Sequence, residues 1–420
     1  MENDNVVPFG KPGTAQDPLT EMLREGAQRL IQQAVEAELT EMLAQFSGQT
    51  DEQGRAAVVR NGYLPEREVL TGIGPVRVQV PKVRSRSGEP AVFRSALVPP
   101  YVRRARSVDA ALPWLYLKGV STGQMGEALQ VLVGPDAKGL SSSVVSRLKG
   151  QWREEYETWR KQRLDKDRWV YVWADGIHSG LRAEGQKLCA LVVIGVNDRG
   201  EKHFLAIEDG IRESTQSWRE VLLDLKARGL ERPPELAVGD GALGFWAALD
   251  EVFPETRHQR CWVHKTANVL NALPKSVQPK AKKALQEVWM APTRADAEKA
   301  FEVFVKTYEA KYPKAADKLV RDRESLLAFY DFPAQHWQHL RTTNPIESTF
   351  ATIRHRTDRA KGCVTRDTML AMIFKLGMSA EKRWRRIRGF DYIAKVITGV
   401  RFKDGVEVQT PTDQQDAACS

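Results

Sequence analysis

The feature that most restricts this chain is a pair of carboxylates delivered by short apolar runs. Trp169-Val-Tyr-Val-Trp173 leads into Ala174-Asp175-Gly176, and Leu236-Ala-Val238 leads into Gly239-Asp240-Gly241. Runs this short, rich in β-branched and aromatic residues, read as strands. Leu188 to Val196 and His203 to Ile207 read as second and third strands, joined by the turn residues Asn197-Asp-Arg-Gly200. Thr215 to Gly229 has helical spacing, Leu236 to Val238 is the fourth strand, Ala242 to Val252 a helix and Arg257 to Val263 a fifth strand.

The order β-β-β-α-β-α-β-α, an antiparallel meander followed by strand-helix units, is the ribonuclease-H-like arrangement. It makes strands one and four neighbours, so Asp175, just past strand one, and Asp240, just past strand four, can converge. Open α/β sheets place their chemistry at such strand ends. Phosphodiester cleavage needs one oxygen activated and another stabilised as it leaves, which two divalent ions about 3.5–4 Å apart accomplish when carboxylates hold them. Mg2+, or Mn2+ in its place, suits this work because Mg2+ takes hard oxygen ligands and keeps positions open for water and phosphate. Gly176, Gly239 and Gly241 let a backbone or substrate come close. Asp-Gly is also a common turn former, and two of them at strand ends leave the turn and the nuclease readings both standing.

The rest of the chain divides by texture. Residues 1–18 read as a flexible leader and 19–56 as a helical segment, with Leu23, Leu30, Ile31, Val35, Leu39 and Leu43 near helical spacing. Residues 57–106 read as a small basic β module. Val76, Val78 and Val80 alternate with Arg77 and Gln79 until Pro81 stops the run, and Lys82 and Arg84 follow. Within 107–165, Ser121-Thr-Gly-Gln124 resembles a capping box opening a helix through Leu132. After Gly134-Pro135, Ser141-Ser-Ser opens another helix carrying Ser143 and Arg147. That outline fits a helix-turn-helix and, equally, an ordinary helical hairpin. The α/β core occupies 168–265, an Ala-, Lys- and Glu-rich helical insertion 266–335, and the core's completion with strongly basic helices running to Arg388 takes 336–403. The tail, 404–420, reads as frayed.

Composition narrows the class. At 420 residues the chain is long enough for two or three domains. With 42% hydrophobic and 28% charged residues it reads as soluble and globular, without a run near the roughly 18 apolar residues of a membrane span. Met1 to Pro18 fits neither a secretory nor a transit peptide, so the expected compartment is the cytoplasm. Cys189, Cys261, Cys363 and Cys419 are too scattered for a disulfide framework. A formal net charge of +9 favours a polyanionic partner. The chain lacks a G-x-x-x-x-G-K-[ST] loop, so no nucleotide cofactor is expected.

Seven segments together resemble the Mutator-like transposases of bacterial insertion sequences: Arg60-Asn-Gly-Tyr63, Lys118-Gly-Val-Ser-Thr122, the Ser141 to Leu148 helix, Trp173-Ala-Asp-Gly176, Val238-Gly-Asp-Gly-Ala242, Arg260-Cys-Trp-Val-His-Lys265 and Thr342-Thr-Asn-Pro-Ile-Glu347. They lie in order along the chain, in a resemblance that covers about residues 20 to 400. The resemblance implies a DDE nuclease site of Asp175, Asp240 and Glu347 holding two Mg2+ or Mn2+ ions. It implies an N-terminal part that binds terminal inverted repeats, and strand cleavage followed by strand transfer. The expected partner is double-stranded DNA, bound by a homodimer or higher oligomer.

Several residues keep two readings. Glu347 is the third ligand of the resemblance, but Asn344-Pro345-Ile346-Glu347 also fits a capping box with Asn344 as N-cap and Pro345 first in the helix. Cys261 and His264 match a Cys-x-x-His motif, a poor zinc site without a second pair. They read either as supports near the carboxylates or as a structural pair at a strand-helix junction. Arg354, Arg356 and Arg359 follow Glu347 closely and could reach phosphates. Arg383, Arg385 and Arg386 interleave with Trp384, Phe390 and Tyr392, a mixture that favours nucleic acid over a plain solvated face. Two rivals stand beside a transposase: a non-catalytic, sequence-specific DNA-binding regulator, and a stand-alone ribonuclease-H-type nuclease.

Overall fold

In the computed structural model the chain separates into two units, Met1–Leu148 and Lys149–Ser420. The structure describes residues 18–86, 90–105, 107–108, 111–112, 115, 120, 124–133, 142–183, 186–210, 214–241, 243–343, 350–351, 353 and 365–408.

The first unit is built on helix α1 (Pro18–Gln45) and four short strands. Proline suits the first helical position because it has no N–H to leave unpaired there. One turn apart on α1, Val35 and Leu39 are buried against Val69, Val76, Val78, Val80, Phe93 and Val98. Val69, Val76 and Val78 come from a β2–β3 hairpin (Arg67–Thr71, Gly74–Val78), and Val80 precedes β4. The expected alternation holds, with Val76 and Val78 inward and Arg77 exposed. Pro81 does not end the strand region, however. It opens β4 (Pro81–Ser85), which pairs antiparallel with β1 (Val58–Tyr63). Proline is tolerated as the first residue of a strand in so small a sheet. Helix α2 (Met125–Val133) follows, and helix α3 (Ser142–Trp159) begins in this unit and ends in the second. The capping residues expected at 121–123, the turn at 134–135 and Ser141 lie outside the described residues.

The second unit contains a five-stranded sheet. Its strands are β5 (Trp169–Ala183), β6 (Gln186–Asn197), β7 (Lys202–Asp209), β8 (Leu236–Gly239) and β9 (Arg257–Arg260), in the spatial order β7-β6-β5-β8-β9. β5, β6 and β7 form an antiparallel meander; β8 and β9 run parallel to β5. Helices α4 (Thr215–Ala227) and α5 (Leu243–Val252) are the connections that parallel strands require. Ser214 caps α4 by accepting the Ser217 N–H. Trp218, Val221, Leu222, Leu225, Phe245 and Leu249 are buried with Val172, Ala174, Leu191 and Ala237. Each large apolar side chain so buried contributes about 1.5–3 kcal/mol.

Tyr171, Trp173 and Asp175 point to the opposite face by the two-residue period of β5. There the Tyr171 hydroxyl meets His336 Nδ1 at 2.9 Å, and the Trp173 indole N–H donates to the His339 carbonyl at 3.2 Å. Between β9 and these residues runs a chain of helices: α6 (Trp262–Leu270), α7 (Gln278–Met290), α8 (Arg294–Tyr308), α9 (Pro313–Val320), α10 (Arg323–Leu327) and α11 (Trp337–Leu340). They enclose their own core of Val269, Leu285, Val288, Phe301, Phe304 and Leu319. Helix α12 (Arg366–Glu381) then packs on β7, with Trp384 stacked on Phe204 at a ring separation of 4.9 Å.

Four readings change. Strand β5 does not stop before Asp175 but continues past it to Ala183, because β6 goes on pairing with it. The fifth strand ends at Arg260, and Trp262 and Val263, apolar enough to suit a strand, form the first turn of α6. The basic helix expected to reach Arg388 ends at Glu381, whose carboxylate accepts the Phe204 N–H at 2.9 Å. Finally, 404–408 is ordered. Strands β10 (Phe402–Lys403) and β11 (Val406–Glu407) close on Asp404 and Gly405, both at positive φ, the geometry an Asp-Gly hairpin turn demands.

Candidate active site

The parallel seam between β5 and β8 sets the site. Its last registered pair is Ala174 opposite Gly239, so Asp175 is the next residue of β5 and Asp240 the first residue past the end of β8. Adjacent strands lie about 4.8 Å apart, so the two aspartates follow directly on a pair of neighbouring backbones. Asp175 remains in antiparallel register with Val192 and is 6% exposed. Asp240 is released from the sheet where β8 ends.

Beyond the seam, Cys261 is the N-cap of α6 and His264 stands one turn further on. Cys261 is fully buried. Burial works against its thiolate, but hydrogen bonds from His264 and Thr343 outweigh that and hold the thiol below its usual pKa. The hydrogen bond to Cys261 pushes the His264 imidazole up to about 9, against the cost of burial. The negative charges of Cys261, Asp175 and Asp240 add to the shift, so one imidazolium feels both carboxylates.

Thr343, which the sequence did not single out, joins this cluster. Its N–H donates to Cys261 Sγ at 3.3 Å and its hydroxyl lies 3.4 Å from His264 Nδ1. The neighbouring backbone is also held, since the Trp262 N–H donates to the Arg341 carbonyl at 2.9 Å. The path toward Glu347 is thereby pinned to the first turn of α6 as far as Thr343. Asn344, Glu347, Arg354, Arg356 and Arg359 lie outside the described residues. Among the described residues, no group of three or more His, Cys, Asp or Glu is arranged to hold a metal ion.

The expected DNA-contacting residues fall in several places. Arg77, Lys82 and Arg84 are exposed on β3 and β4 of the first unit, with Arg77 3.8 Å from Glu68. Arg147 is exposed on α3, and Ser143 belongs to the same helix. Arg383 and Arg385 are exposed after α12. Arg386 is ion-paired with Glu201 at 3.0 Å and lies over the Phe390 ring, and Trp384 is engaged with Phe204, so these two have partners within the chain. No helix of the described residues is long and apolar enough to cross a membrane.

Comparison with known proteins agrees with the ordered motifs. The model of the Mutator family of transposases matches residues 11–386. The transposase for insertion sequence element IST2 of Acidithiobacillus ferrooxidans is 54% identical over 296 residues, covering 70% of this chain and all of that protein. The transposase for element IS6120 of Mycolicibacterium smegmatis is 48% identical over 306 residues, covering 73% of this chain and 94% of its own length. With a match over most of its length and relatives this similar, the chain belongs to the Mutator family of transposases.

Proposed function

We propose that this protein is a DDE transposase whose second unit is a ribonuclease-H-like nuclease with a helical insertion, and whose site is Asp175, Asp240 and Glu347. The observation that carries the reading is the β5–β8 register, which makes Asp175 and Asp240 adjacent at the end of a parallel seam. The strand order β7-β6-β5-β8-β9 supports the fold. Family membership supports the activity: cleavage at the ends of an insertion sequence, then transfer of the freed end.

The donor set fits a hard divalent cation, since both described carboxylates offer oxygen ligands and the third expected ligand is also a carboxylate. When bound, two Mg2+ or Mn2+ ions would activate the attacking oxygen and stabilise the leaving one. Asp175, Asp240 and Glu347 would hold them. Cys261, His264 and Thr343 hold the chain leading toward Glu347 as far as Thr343, and the His264 imidazole lies within electrostatic reach of both aspartates. Most of the DNA affinity falls to exposed cations, with Arg77, Lys82, Arg84, Arg147 and the bundle around 107–165 reading the ends. Assembly on DNA as a dimer or larger oligomer, in the cytoplasm, belongs to the same reading.

The direct test uses the full-length protein and labelled duplexes carrying the ends of its own element. Cleavage at the element boundary is expected with Mg2+ or Mn2+ and none with EDTA, while end binding persists in EDTA. Cutting that survives EDTA would remove the two-metal reading, and binding that never leads to cutting would favour a regulator.

A second measurement addresses the first unit. Lys82→Ala together with Arg84→Ala is expected to weaken end binding and to lower the slope of log affinity against log salt by about 1–2, the contribution of one or two phosphate contacts. An unchanged slope would move DNA binding off β4.

A further inference from the structure

The turn that presents Asp240 is braced from outside the sheet. Arg260, the last residue of β9, donates from Nη1 to the Gly241 carbonyl at 3.1 Å, and its Nη2 lies 3.3 Å from Asp322 Oδ2. Gly241 has φ +103°, and a Cβ there would sit 1.8–2.1 Å from three guanidinium atoms. A Cβ at residue 241 would have to displace the guanidinium, so this packing takes glycine both for φ and for room.

Asp322 belongs to the helical insertion, between α9 and α10. It stands at the N-cap of α10, where an aspartate ordinarily accepts a backbone N–H, yet it makes no such bond. Its carboxylate turns instead to Arg260 and to Lys265 of α6, whose buried ammonium also donates to the Lys318 carbonyl at 2.7 Å. A residue that gives up its local capping role to hold two cations serves the place where those cations are.

We propose that Asp322 is a positioning residue for the nuclease site: it holds the Arg260 guanidinium against Gly241 and so fixes the direction of the Asp240 carboxylate. The proposal rests on reading Asp240 as a metal ligand. One arm of the planar guanidinium engages the turn and the other engages Asp322, a fork geometry that lysine cannot reproduce. Asp322 also neutralises that cation. Without it, a guanidinium packed against residue 241 is free to pair with the carboxylate of residue 240 and to compete with a divalent ion. The insertion thus takes part in the site it interrupts.

The test measures Mn2+ binding to full-length protein by the electron paramagnetic resonance of free Mn2+, with the Mg2+ dependence of cleavage as a second readout. Loss of a group that orients a metal ligand typically costs 10–100-fold in affinity. Asp322→Asn is expected to weaken Mn2+ binding by about tenfold or more, and to raise the Mg2+ needed for half-maximal cleavage in parallel, with end binding unchanged. Because Asp322→Asn leaves Lys265 buried without a counter-charge, the pair Asp322→Asn/Lys265→Met is measured beside it and is expected to show the same weakening. Lys265→Met alone, which leaves the Asp322–Arg260 contact in place, is expected to bind Mn2+ within about twofold of wild type.

Wild-type Mn2+ affinity in a folded variant lacking Asp322, alongside weak binding by Asp240→Asn, would overturn the proposal and leave the site standing. Equal weakening by Lys265→Met would also overturn it, by showing a general loosening. If Asp240→Asn itself binds Mn2+ like wild type, Asp240 is not a ligand and both readings fall.

Discussion

Asp175→Asn and Asp240→Asn are each expected to lower strand cleavage about a thousandfold or more, while end binding stays close to wild type. Metal-assisted charge stabilisation is worth several kcal/mol, and each 1.36 kcal/mol is a factor of ten. Asparagine keeps the size and one oxygen of aspartate but not its charge, so the sheet should persist. Asp175 is the sharper of the two. It is buried in β5, where its backbone stays in antiparallel register with Val192. Gel shift with end duplexes and the melting temperature report binding and fold; a denaturing gel reports cleavage. A folded, binding-competent Asp175→Asn protein that still cuts at near wild-type rate would remove the carboxylate from the site.

Glu347→Gln should have an effect of similar size for a different reason. At the third position after Asn344, glutamine can accept or replace the capping bond almost as well as glutamate, so a purely structural Glu347 would lose at most about 1 kcal/mol of stability and no activity. As a metal ligand, Glu347 loses the charge that matters, and the variant should fold, bind ends and fail to cut. Retained cutting would return Glu347 to a capping role. Two other carboxylates, Asp331 and Asp358, flank that stretch of the chain. Asp331 is committed to ion pairs with Arg257 and Arg294, which would leave Asp358 as the residue to test.

How much of this was legible from sequence follows from how local each determinant is. The five strands of the sheet, α4, α5 and the adjacency of Asp175 to Asp240 follow from apolar period and element order, both properties of neighbouring residues. The boundaries were wrong where a partner decided them. Asp175 stays in a strand because β6 pairs with it, and Trp262-Val263 joins a helix because the Trp262 N–H and indole find carbonyls at Arg341 and Leu326. The Asp404-Gly405 hairpin carried a local turn signal that the polar tail around it obscured. Arg260 and Lys265 stand inside a recognisable motif, so a role for them was within reach. Asp322 carries no such signal. In a helical stretch full of charges it looks like any solvated acid, and only the return of the insertion to β9 gives it a function.

The packing of α12 on β7 has a consequence for the timing of synthesis. The N–H of Phe204 and the ring of His203 are satisfied by Glu381, 2.9 and 3.0 Å away, and the Phe204 ring is covered by Trp384. At elongation rates of roughly 5–20 residues per second, the interval between the end of β7 and the arrival of Glu381 is on the order of ten to thirty seconds. During that interval the ribosome-bound chain holds the meander without the cover of its outer strand. A chain that stops short of Glu381 therefore leaves the Phe204 N–H and ring without these partners on the outer strand of the sheet, the kind of unprotected strand edge that invites pairing with another chain.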